Sequence, residues 1–346
     1  MPDIKALILA AHAPSDALSS FGGSGALHSM PIANRPLVSF AVGAAHDAGI
    51  DEVAVVVSRA SRTSIQMAVR SAGGPTPLWI ETPEPLGFAD SLLSAAEFLG
   101  TSPFLVHSGD SIVLTPLRPA VEEFIAGSAD VRLLTSDGGS HRRSSLRPVV
   151  NGVAPLGSDD VLAGAHLFGP MSLELAMEQS SGDPGPAVLA RAVARAGGCV
   201  ETRSVADSWT YGGTIDDILE ANRMVLDGLA GDRRPRTRPD SLIEGRVTLH
   251  PSAVVERTTI RGPAVIGPGA VLRDAFVGPY TALGPDVMLE GVEIEHSIVL
   301  AGATIRHPGR RLESSLVGEG AIVSRSFGLP SALRVRVGER SEVRLA

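Results

Sequence analysis

Two residue types are nearly absent from this sequence of 346 residues. It contains one cysteine, Cys199, and one lysine, Lys5, so every other basic residue is an arginine. A single cysteine excludes an internal disulfide and a cysteine-ligated metal, and it is typical of a reducing cytoplasm. The single lysine excludes any site that needs a lysine ammonium group elsewhere in the chain.

Other absences narrow the range of partners. No apolar run reaches the roughly 18 residues that span a bilayer, and the segment 1–5 lacks the basic stretch that begins a secretion signal. The net charge of -8 argues against nucleic acid and anionic membranes, which both bind concentrated basic surfaces. We therefore expect a cytoplasmic protein that binds small molecules or other proteins.

The N-terminal part of the chain has the pattern of an α/β fold. At 346 residues the chain exceeds the size at which one core usually stops growing, about 250–300 residues, which predicts two domains. Short apolar runs alternate with helical patterns, and this order predicts a Rossmann-like, mostly parallel sheet flanked by helices over 1–240. Strands are expected at 6–9, 52–57, 78–81, 104–107 and 131–135, and helices at 36–48, 63–71, 87–99 and 215–229.

A different period begins after residue 240. Aliphatic residues recur in steps of six, six and five, a repeat of about 17 residues. This phase is typical of a three-sided solenoid with one inward aliphatic side chain per side and turn, and it predicts a left-handed β-helix over 241–346. Ile260, Val277 and Ile294 should stack on one inner wall. The residues in phase are Ile243, Leu249, Val255, Ile260, Ile266, Leu272, Val277, Leu283, Leu289 and Ile294.

This order of halves, together with four local segments, resembles the long-form glucose-1-phosphate thymidylyltransferases. Two segments match the stretch before the family's first long helix and part of its nucleotide pocket. The other two match a magnesium-binding aspartate and the stretch that carries a second one. They are Pro-Ile-Ala-Asn-Arg-Pro at 31–36, Pro-Leu-Gly-Phe-Ala at 85–89, Ser-Gly-Asp at 108–110, and Trp-Thr-Tyr-Gly-Gly-Thr at 209–214 running into Glu-Ala-Asn-Arg at 220–223.

The resemblance implies the chemistry of a sugar-1-phosphate nucleotidyltransferase. A sugar phosphate attacks the α-phosphate of a nucleoside triphosphate, and Mg²⁺ held by two carboxylates bridges the phosphate oxygens. A glycine-rich loop donates N–H groups to the triphosphate, while an arginine and a lysine neutralise developing charge. The resemblance assigns Ala10, Ala11, Thr82, Gly87 and Asp110 to the nucleotide, Gly164 to the sugar and Asp110 to the metal.

Several of these requirements are not met. In the loop after the first strand, Pro14 has no N–H to donate, and Asp16, near the family's arginine position, repels phosphate. The family's lysine falls on Leu27, and its second metal-binding aspartate falls on Tyr211. A phenol does not replace a carboxylate as a ligand of a hard cation at neutral pH.

Two positions for substrate recognition also differ. The glutamine that reads the base falls on Thr82, and the sugar-binding Glu-Lys-Pro segment is missing near 145–150. Each lost transition-state contact costs roughly two or more orders of magnitude in rate, and such groups act together. The sequence therefore predicts a catalytically impaired homologue without a cofactor, acting as a regulatory, sensing or scaffolding subunit. It would bind a nucleotide or sugar nucleotide and form a homo-oligomer, or a hetero-oligomer with an active relative.

The alternative is an active, Mg²⁺-dependent sugar-1-phosphate nucleotidyltransferase with a rearranged site. Arginine binds phosphate well, so Arg35, Arg142 or Arg143 would take over from the lost cations. A displaced phosphate loop at 22–25 is a further hypothesis, set against an ordinary surface loop.

Histidines raise two other hypotheses. His12, His28 and His107 fall near the sheet edge where open α/β sheets bind ligands, so a metal site with Asp110 is one interpretation and ordinary loop residues are the other. His296 and His307 raise the hypothesis of an acyltransferase, because hexapeptide solenoids also form acyltransferases with a catalytic histidine. That activity needs a long regular prism, whereas only three turns keep phase here.

Overall fold

A computed structural model describes residues 4–11, 16–21, 26–136, 161–178, 185–229, 236–238 and 240–325. A seven-stranded sheet lies at the centre of its α/β half, in the order β10-β8-β9-β6-β1-β4-β5. The strands of this half are β1 (Lys5–Ala10), β2 (Pro31–Ile32), β3 (Arg35–Pro36), β4 (Val53–Ser58), β5 (Leu78–Thr82), β6 (Phe104–Ser108), β7 (Ser111–Val113), β8 (Val131–Ser136), β9 (Val161–Phe168), β10 (Val200–Val205) and β11 (Ser208–Thr210).

The sheet is mostly parallel, as predicted. Strand β1 pairs in parallel with both β4 and β6, while β9 lies antiparallel between β6 and β8. Strand β4 is buried along its whole length, which explains why its sequence is an unbroken apolar run and not an alternating one. The predicted strands are all present, to within two residues at each end.

Helices cover both faces of the sheet and enclose two apolar cores. One core lies against α2, α3 and α6, and the other against α4, α5, α7 and α8. The long helix predicted at 87–99 is divided into α4 and α5. A 3₁₀ helix spans Asp16–Phe21, and the α-helices are α1 (Ala26–Ser29), α2 (Leu37–Asp47), α3 (Arg62–Ala72), α4 (Phe88–Ser94), α5 (Ala96–Leu99), α6 (Arg118–Ala126), α7 (Met171–Glu178), α8 (Pro186–Arg195) and α9 (Ile215–Asp227).

The C-terminal strands form the three parallel sheets of a β-helix, which confirms the predicted solenoid. Ile260 lies next to Val277, and Val277 next to Ile294, in one sheet, and all three side chains are completely buried. Ile266 and Leu283 are paired in the second sheet. The predicted inner walls are therefore present.

The β-helix is longer than the regular phase indicates. Each sheet has five parallel rungs, because the later coils continue with altered spacing, as in the pairs of Leu289 with Ile305 and Ile294 with Leu312. Its strands are β12 (Arg236–Arg238), β13 (Ser241–Glu244), β14 (Val247–Leu249), β15 (Val254–Glu256), β16 (Thr259–Arg261), β17 (Ala264–Ile266), β18 (Val271–Arg273), β19 (Phe276–Val277), β20 (Thr281–Leu283), β21 (Met288–Glu290), β22 (Glu293–Glu295), β23 (Ile298–Val299), β24 (Thr304–Arg306), β25 (Leu312–Glu313), β26 (Leu316–Val317) and β27 (Ile322–Ser324).

The outer surfaces of the three sheets differ in chemistry. On the sheet that contains β15, charges alternate from rung to rung along the series Glu256, Arg273, Glu290, Arg306. On the sheet that contains β17, the outward residues Val265, Ala282 and Ile298 are apolar and buried. This apolar face packs against the α/β half, so the β-helix docks by the one face that lacks charge.

The two halves meet in an apolar cluster, which we call the interdomain cluster. From the α/β half it includes Leu18, Leu27, Met30, Ile32, Ala33, Ile112, Trp209, Ile218 and Leu219, and from the β-helix Val265, Ala282, Ile298 and Leu300. The helices in the described part of the chain include none long and apolar enough to cross a membrane.

Candidate functional site

The predicted nucleotide-binding residues converge at the carboxyl edge of the central sheet. Ala10 and Ala11 are buried at the end of β1, and the Leu86 N–H donates to the Ala11 carbonyl at 3.0 Å. That bond brings Gly87, which precedes helix α4, beside the end of β1. Ligands of open α/β sheets bind at this edge, at the point where the connections from two adjacent strands run to opposite sides of the sheet. Here the chain continues from β1 to β4 on one side and from β6 toward β8 on the other, so that point lies between β1 and β6.

The turn after β6 approaches β1 closely. The Gly109 N–H donates to the Leu9 carbonyl at 2.7 Å, and a Cβ on Gly109 would lie 2.9 Å from the same oxygen. Only glycine fits that space without a shift of backbone. The contact fixes Asp110, the next residue, at the same edge as Ala10 and Gly87.

Asp110 lies opposite Tyr211. Strand β11 pairs antiparallel with β7, and the Tyr211 N–H donates to the Asp110 carbonyl at 3.0 Å. The Asp110 carboxylate accepts a short hydrogen bond from the Ser108 hydroxyl. A phenol thus stands where the resemblance places the second carboxylate, so this pair offers Mg²⁺ one carboxylate in place of the two that the resemblance implies.

Leu27, at the position that the resemblance assigns to lysine, is a core residue. Only 7% of its surface is exposed, and it belongs to the interdomain cluster together with Trp209 and Val265. Tyr211 packs against the same cluster. Leu27 and Tyr211, where the resemblance expects a lysine and an aspartate, are therefore part of the packing between the halves.

The segment after β1 also contacts the β-helix. Leu18, in the 3₁₀ helix, is completely buried in the interdomain cluster. The ring of Phe21 lies 3.6 Å from the position of a Cβ on Gly318, in the last coils of the β-helix. Part of the segment that would surround the triphosphate in the family is therefore packed against the other half.

Thr82 and Gly164 are each engaged within the protein. The Thr82 hydroxyl lies 2.7 Å from the Glu84 carbonyl and 3.3 Å from the Val57 carbonyl, and the residue is buried. A Cβ on Gly164 would overlap the Ser111 side chain, so Ser111 fills that notch from inside. Gly164 is nevertheless close to Asp110, because Ser111 follows Asp110 directly. Their assignment to base and sugar stays a prediction.

Two of the histidines near this edge are core residues. His107 is completely buried, its Nδ1 lies 2.8 Å from the Ser108 carbonyl, and desolvation lowers its pKa to about 4. His28 is buried against Gly109. Desolvation likewise lowers the pKa of His166, on the neighbouring strand β9, to about 3. Among the described residues, no three His, Cys, Asp or Glu side chains are grouped to hold a metal ion.

Some predicted residues lie outside the described part of the chain. They are His12, Arg142, Arg143, the side chain of Asp16, and the segments 12–15, 22–25 and 145–150. Arg35 is described, and its guanidinium stacks 4.4 Å from the centre of the Phe40 ring, along helix α2.

The two β-helix histidines do not share a site. His296 follows β22 and His307 follows β24, which belong to different sheets, so the residues occupy different corners of the prism. The His296 ring lies 3.2 Å from the Ser314 hydroxyl. The two histidines therefore do not act together in one site, and the acyltransferase interpretation stays a hypothesis about either of them alone.

Comparisons with known proteins agree with this geometry. A family model described as nucleotidyl transferase matches residues 24–145. A glucose-1-phosphate thymidylyltransferase of Streptomyces griseus is 30% identical, over 99% of this chain and 100% of that protein. The chain belongs to the sugar-1-phosphate nucleotidyltransferase family. Another nucleotidyltransferase, of low-salt glycan biosynthesis in Haloferax volcanii, is 29% identical over 91% of this chain and 93% of its own length.

A solved structure adds to the fold assignment of this nucleotidyltransferase-family chain. It comes from Bacillus anthracis, is assigned as a glucose-1-phosphate thymidylyltransferase, and superposes with a TM-score of 0.51 over 63% of this chain and 94% of that one, at 18% identity. At that identity the likeness concerns the fold alone.

Sequence reasoning assigned no role to three residues at or near the site of this family member, although Ser108 and Asn222 lie in segments that carry the resemblance. Ser108 binds the Asp110 carboxylate, and Ser111 fills the notch at Gly164. Asn222 is completely buried and joins the two halves. A signal for Asn222 exists in the sequence, since it is a polar residue beside the apolar positions of amphipathic helix α9.

Proposed function

We propose that this nucleotidyltransferase-family protein is catalytically impaired and serves sugar-nucleotide biosynthesis as a regulatory, sensing or scaffolding subunit. In that role it binds a nucleotide or sugar nucleotide at the edge formed by Ala11, Gly87 and Asp110. It works in an oligomer, with copies of itself or with an active relative. In this proposal the chain divides near residue 240, and the antiparallel strand β12 (Arg236–Arg238) already pairs with β13 of the β-helix.

The burial of Leu27 is the observation that carries this proposal. Phosphoryl chemistry needs a cation in contact with developing charge, and removal of such a contact typically costs about two to three orders of magnitude in rate. Leu27 is surrounded by apolar side chains instead, and the only lysine of the chain, Lys5, bonds to the Phe98 carbonyl at 2.7 Å. No lysine is available to take over.

The pair of Asp110 and Tyr211 supports the same conclusion for the metal. Their backbones are joined by a hydrogen bond, so the phenol cannot be exchanged for another residue by a small shift of register. A single carboxylate binds Mg²⁺ weakly without further oxygen ligands. A site that no longer depends on the metal can still bind the neutral parts of a nucleotide.

A pyrophosphate-release assay tests the proposal. The full chain is incubated with Mg²⁺, glucose-1-phosphate and each common nucleoside triphosphate, with the Streptomyces griseus relative as the active control. We expect release at the level of the blank. Robust turnover that Asp110→Asn abolishes would overturn the proposal and favour the active enzyme, in which arginines replace the lost cations.

A further inference from the structure

Two segments that resemble parts of the family's catalytic half meet at the junction with the β-helix. The Ala33 N–H, in the turn between β2 and β3, donates to Asn222 Oδ1 at 2.9 Å. The Asn222 amide in turn donates to the Tyr280 carbonyl of the β-helix at 3.0 Å. One buried side chain therefore connects the turn, helix α9 and the solenoid.

Asn34 makes a second connection beside the first. Its amide donates to the Leu283 carbonyl at 2.7 Å. Ala33 and Asn34 have positive φ angles of 47° and 62°, so this is a tight hairpin turn whose geometry aims the Asn34 side chain away from its own strands. Both asparagines thus bind backbone carbonyls at the two ends of one β-helix strand, β20.

The bond between Ala33 and Asn222 is a strong constraint because it is buried, and the bonds to the Tyr280 and Leu283 carbonyls are partly buried. Asn222 has no exposed surface, and a buried amide or carbonyl without a partner destabilises the protein. A pair of charged side chains, Arg246 and Asp227 at 3.4 Å, lies at the end of the same helix. The junction therefore has one preferred geometry.

The junction is continuous with the candidate site. Ile32, next to the turn, and Ala282, next to Leu283, belong to the interdomain cluster, as does Leu27, and Tyr211 packs against that cluster. Helix α9, which carries Asn222, begins four residues after Tyr211. A shift of the β-helix is therefore transmitted through these packed side chains to Tyr211, which lies opposite Asp110.

We propose that Asn34 and Asn222 are positioning residues, which seat the β-helix so that it holds the Leu27 and Tyr211 wall of the candidate site in place. The β-helix is then a part of the site's construction and not an appended module. The element that is positioned is the site of the proposed function, whether or not that site is catalytic.

Amide hydrogen exchange of the full chain tests the positioning directly. The variants are Asn34→Gly, which keeps the positive-φ turn and removes the amide, and Asn222→Ala. The expected result is exchange about five-fold or more faster in peptides 26–32 and 208–214, relative to peptide 5–10 in β1. Val121→Ala, a cavity variant in the core against α6, is the control that lowers overall stability and should leave this ratio unchanged.

A binding measurement separates this inference from the proposed function. Titration with dTDP-glucose should show affinity at least about five-fold weaker in both junction variants than in the Val121→Ala control. If the unaltered chain binds no dTDP-glucose, the ligand of the proposed function is wrong, while the exchange ratio still decides the positioning. Folded junction variants with an unchanged ratio would refute the positioning role.

Discussion

Acid should loosen the α/β half because two neutral histidines are buried in it. Desolvation lowers the pKa of His107 from 6.5 to about 4 and that of His166 from 6.5 to about 3. In the unfolded chain both regain an ordinary pKa, so between these values the unfolded state binds more protons. The stabilisation is complete above pH 6.5 and is lost as the pH falls toward the folded values.

The size of the effect follows from these pKa values. At pH 5 each histidine reduces the free energy of unfolding by about 2 kcal/mol relative to pH 7.5, which gives about 4 kcal/mol for the pair. Glu81, Glu123 and Asp274, whose pKa values are lowered by arginine partners, contribute little in this window. The pKa of Glu81 is lowered by its hydrogen bond with Arg62, and such groups lose their contribution only below about pH 4.5.

Urea unfolding between pH 7.5 and pH 5 measures this loss. Both tryptophans, Trp79 and Trp209, lie in the α/β half, so their fluorescence reports its unfolding. His107→Asn and His166→Asn should each remove about half of the pH dependence, whatever they do to stability at pH 7.5. His250→Asn, at an exposed corner of the β-helix, is the control substitution. A loss below about 1 kcal/mol in the unaltered chain would refute the reasoning.

Two further predictions concern the candidate site. Leu27→Lys should lower the free energy of unfolding by about 3 kcal/mol or more and restore no turnover, because the ammonium enters an apolar cluster, whereas Leu27→Met should cost less than about 1.5 kcal/mol. Urea unfolding measures both costs, and the pyrophosphate assay measures turnover. A stable, active lysine variant would contradict the assignment of Leu27 to the interdomain cluster. Titration calorimetry should show tighter binding of a sugar nucleotide than of a triphosphate, with little dependence on Mg²⁺; tight Mg²⁺-dependent triphosphate binding would mean that arginines supply the missing charge.

The β-helix was the part of the fold most accessible from sequence. The inward position recurs at a nearly fixed step, so Ile260, Val277 and Ile294 reveal the solenoid without knowledge of anything distant in the chain. The antiparallel direction of β9 could not be predicted in this way, because an apolar run carries no information on strand direction. The division at Ala95 between α4 and α5 is likewise too local for a periodicity argument.

The sequence also contains a signal for the docking face of the β-helix, and this signal is separate from the spacing of the inward residues. Outward positions of one sheet are Val265, Ala282 and Ile298, whereas those of another alternate between arginine and glutamate. An apolar outward series on a solenoid indicates a covered face. The partner of that face was not readable, since nothing in Leu27 or Leu18 by itself distinguishes a core residue from a residue at the junction.

The sequence predicts at which edge of the sheet the candidate site lies, but not which side chains form its surface. Sequence order places Ala11, Gly87 and Asp110 at the carboxyl ends of strands, and the structure brings them together. Which of their neighbours faces a ligand depends on packing, and Ser111 is the example. It fills the notch at Gly164, although a glycine at that position reads equally well as an opening for substrate.

Catalytic chemistry and interdomain packing place opposite demands on position 27. A lysine that neutralises phosphate must keep its ammonium in contact with water or ligand, because an unpaired charge in an apolar interior costs several kcal/mol. Leu27 instead contributes to a cluster that excludes water and joins two halves. A restored cation would therefore have to displace packing that Val265 and Ala282 supply from the β-helix. If position 27 is the lysine position that the resemblance assigns, one apolar side chain both leaves the site without that cation and helps to seat the β-helix.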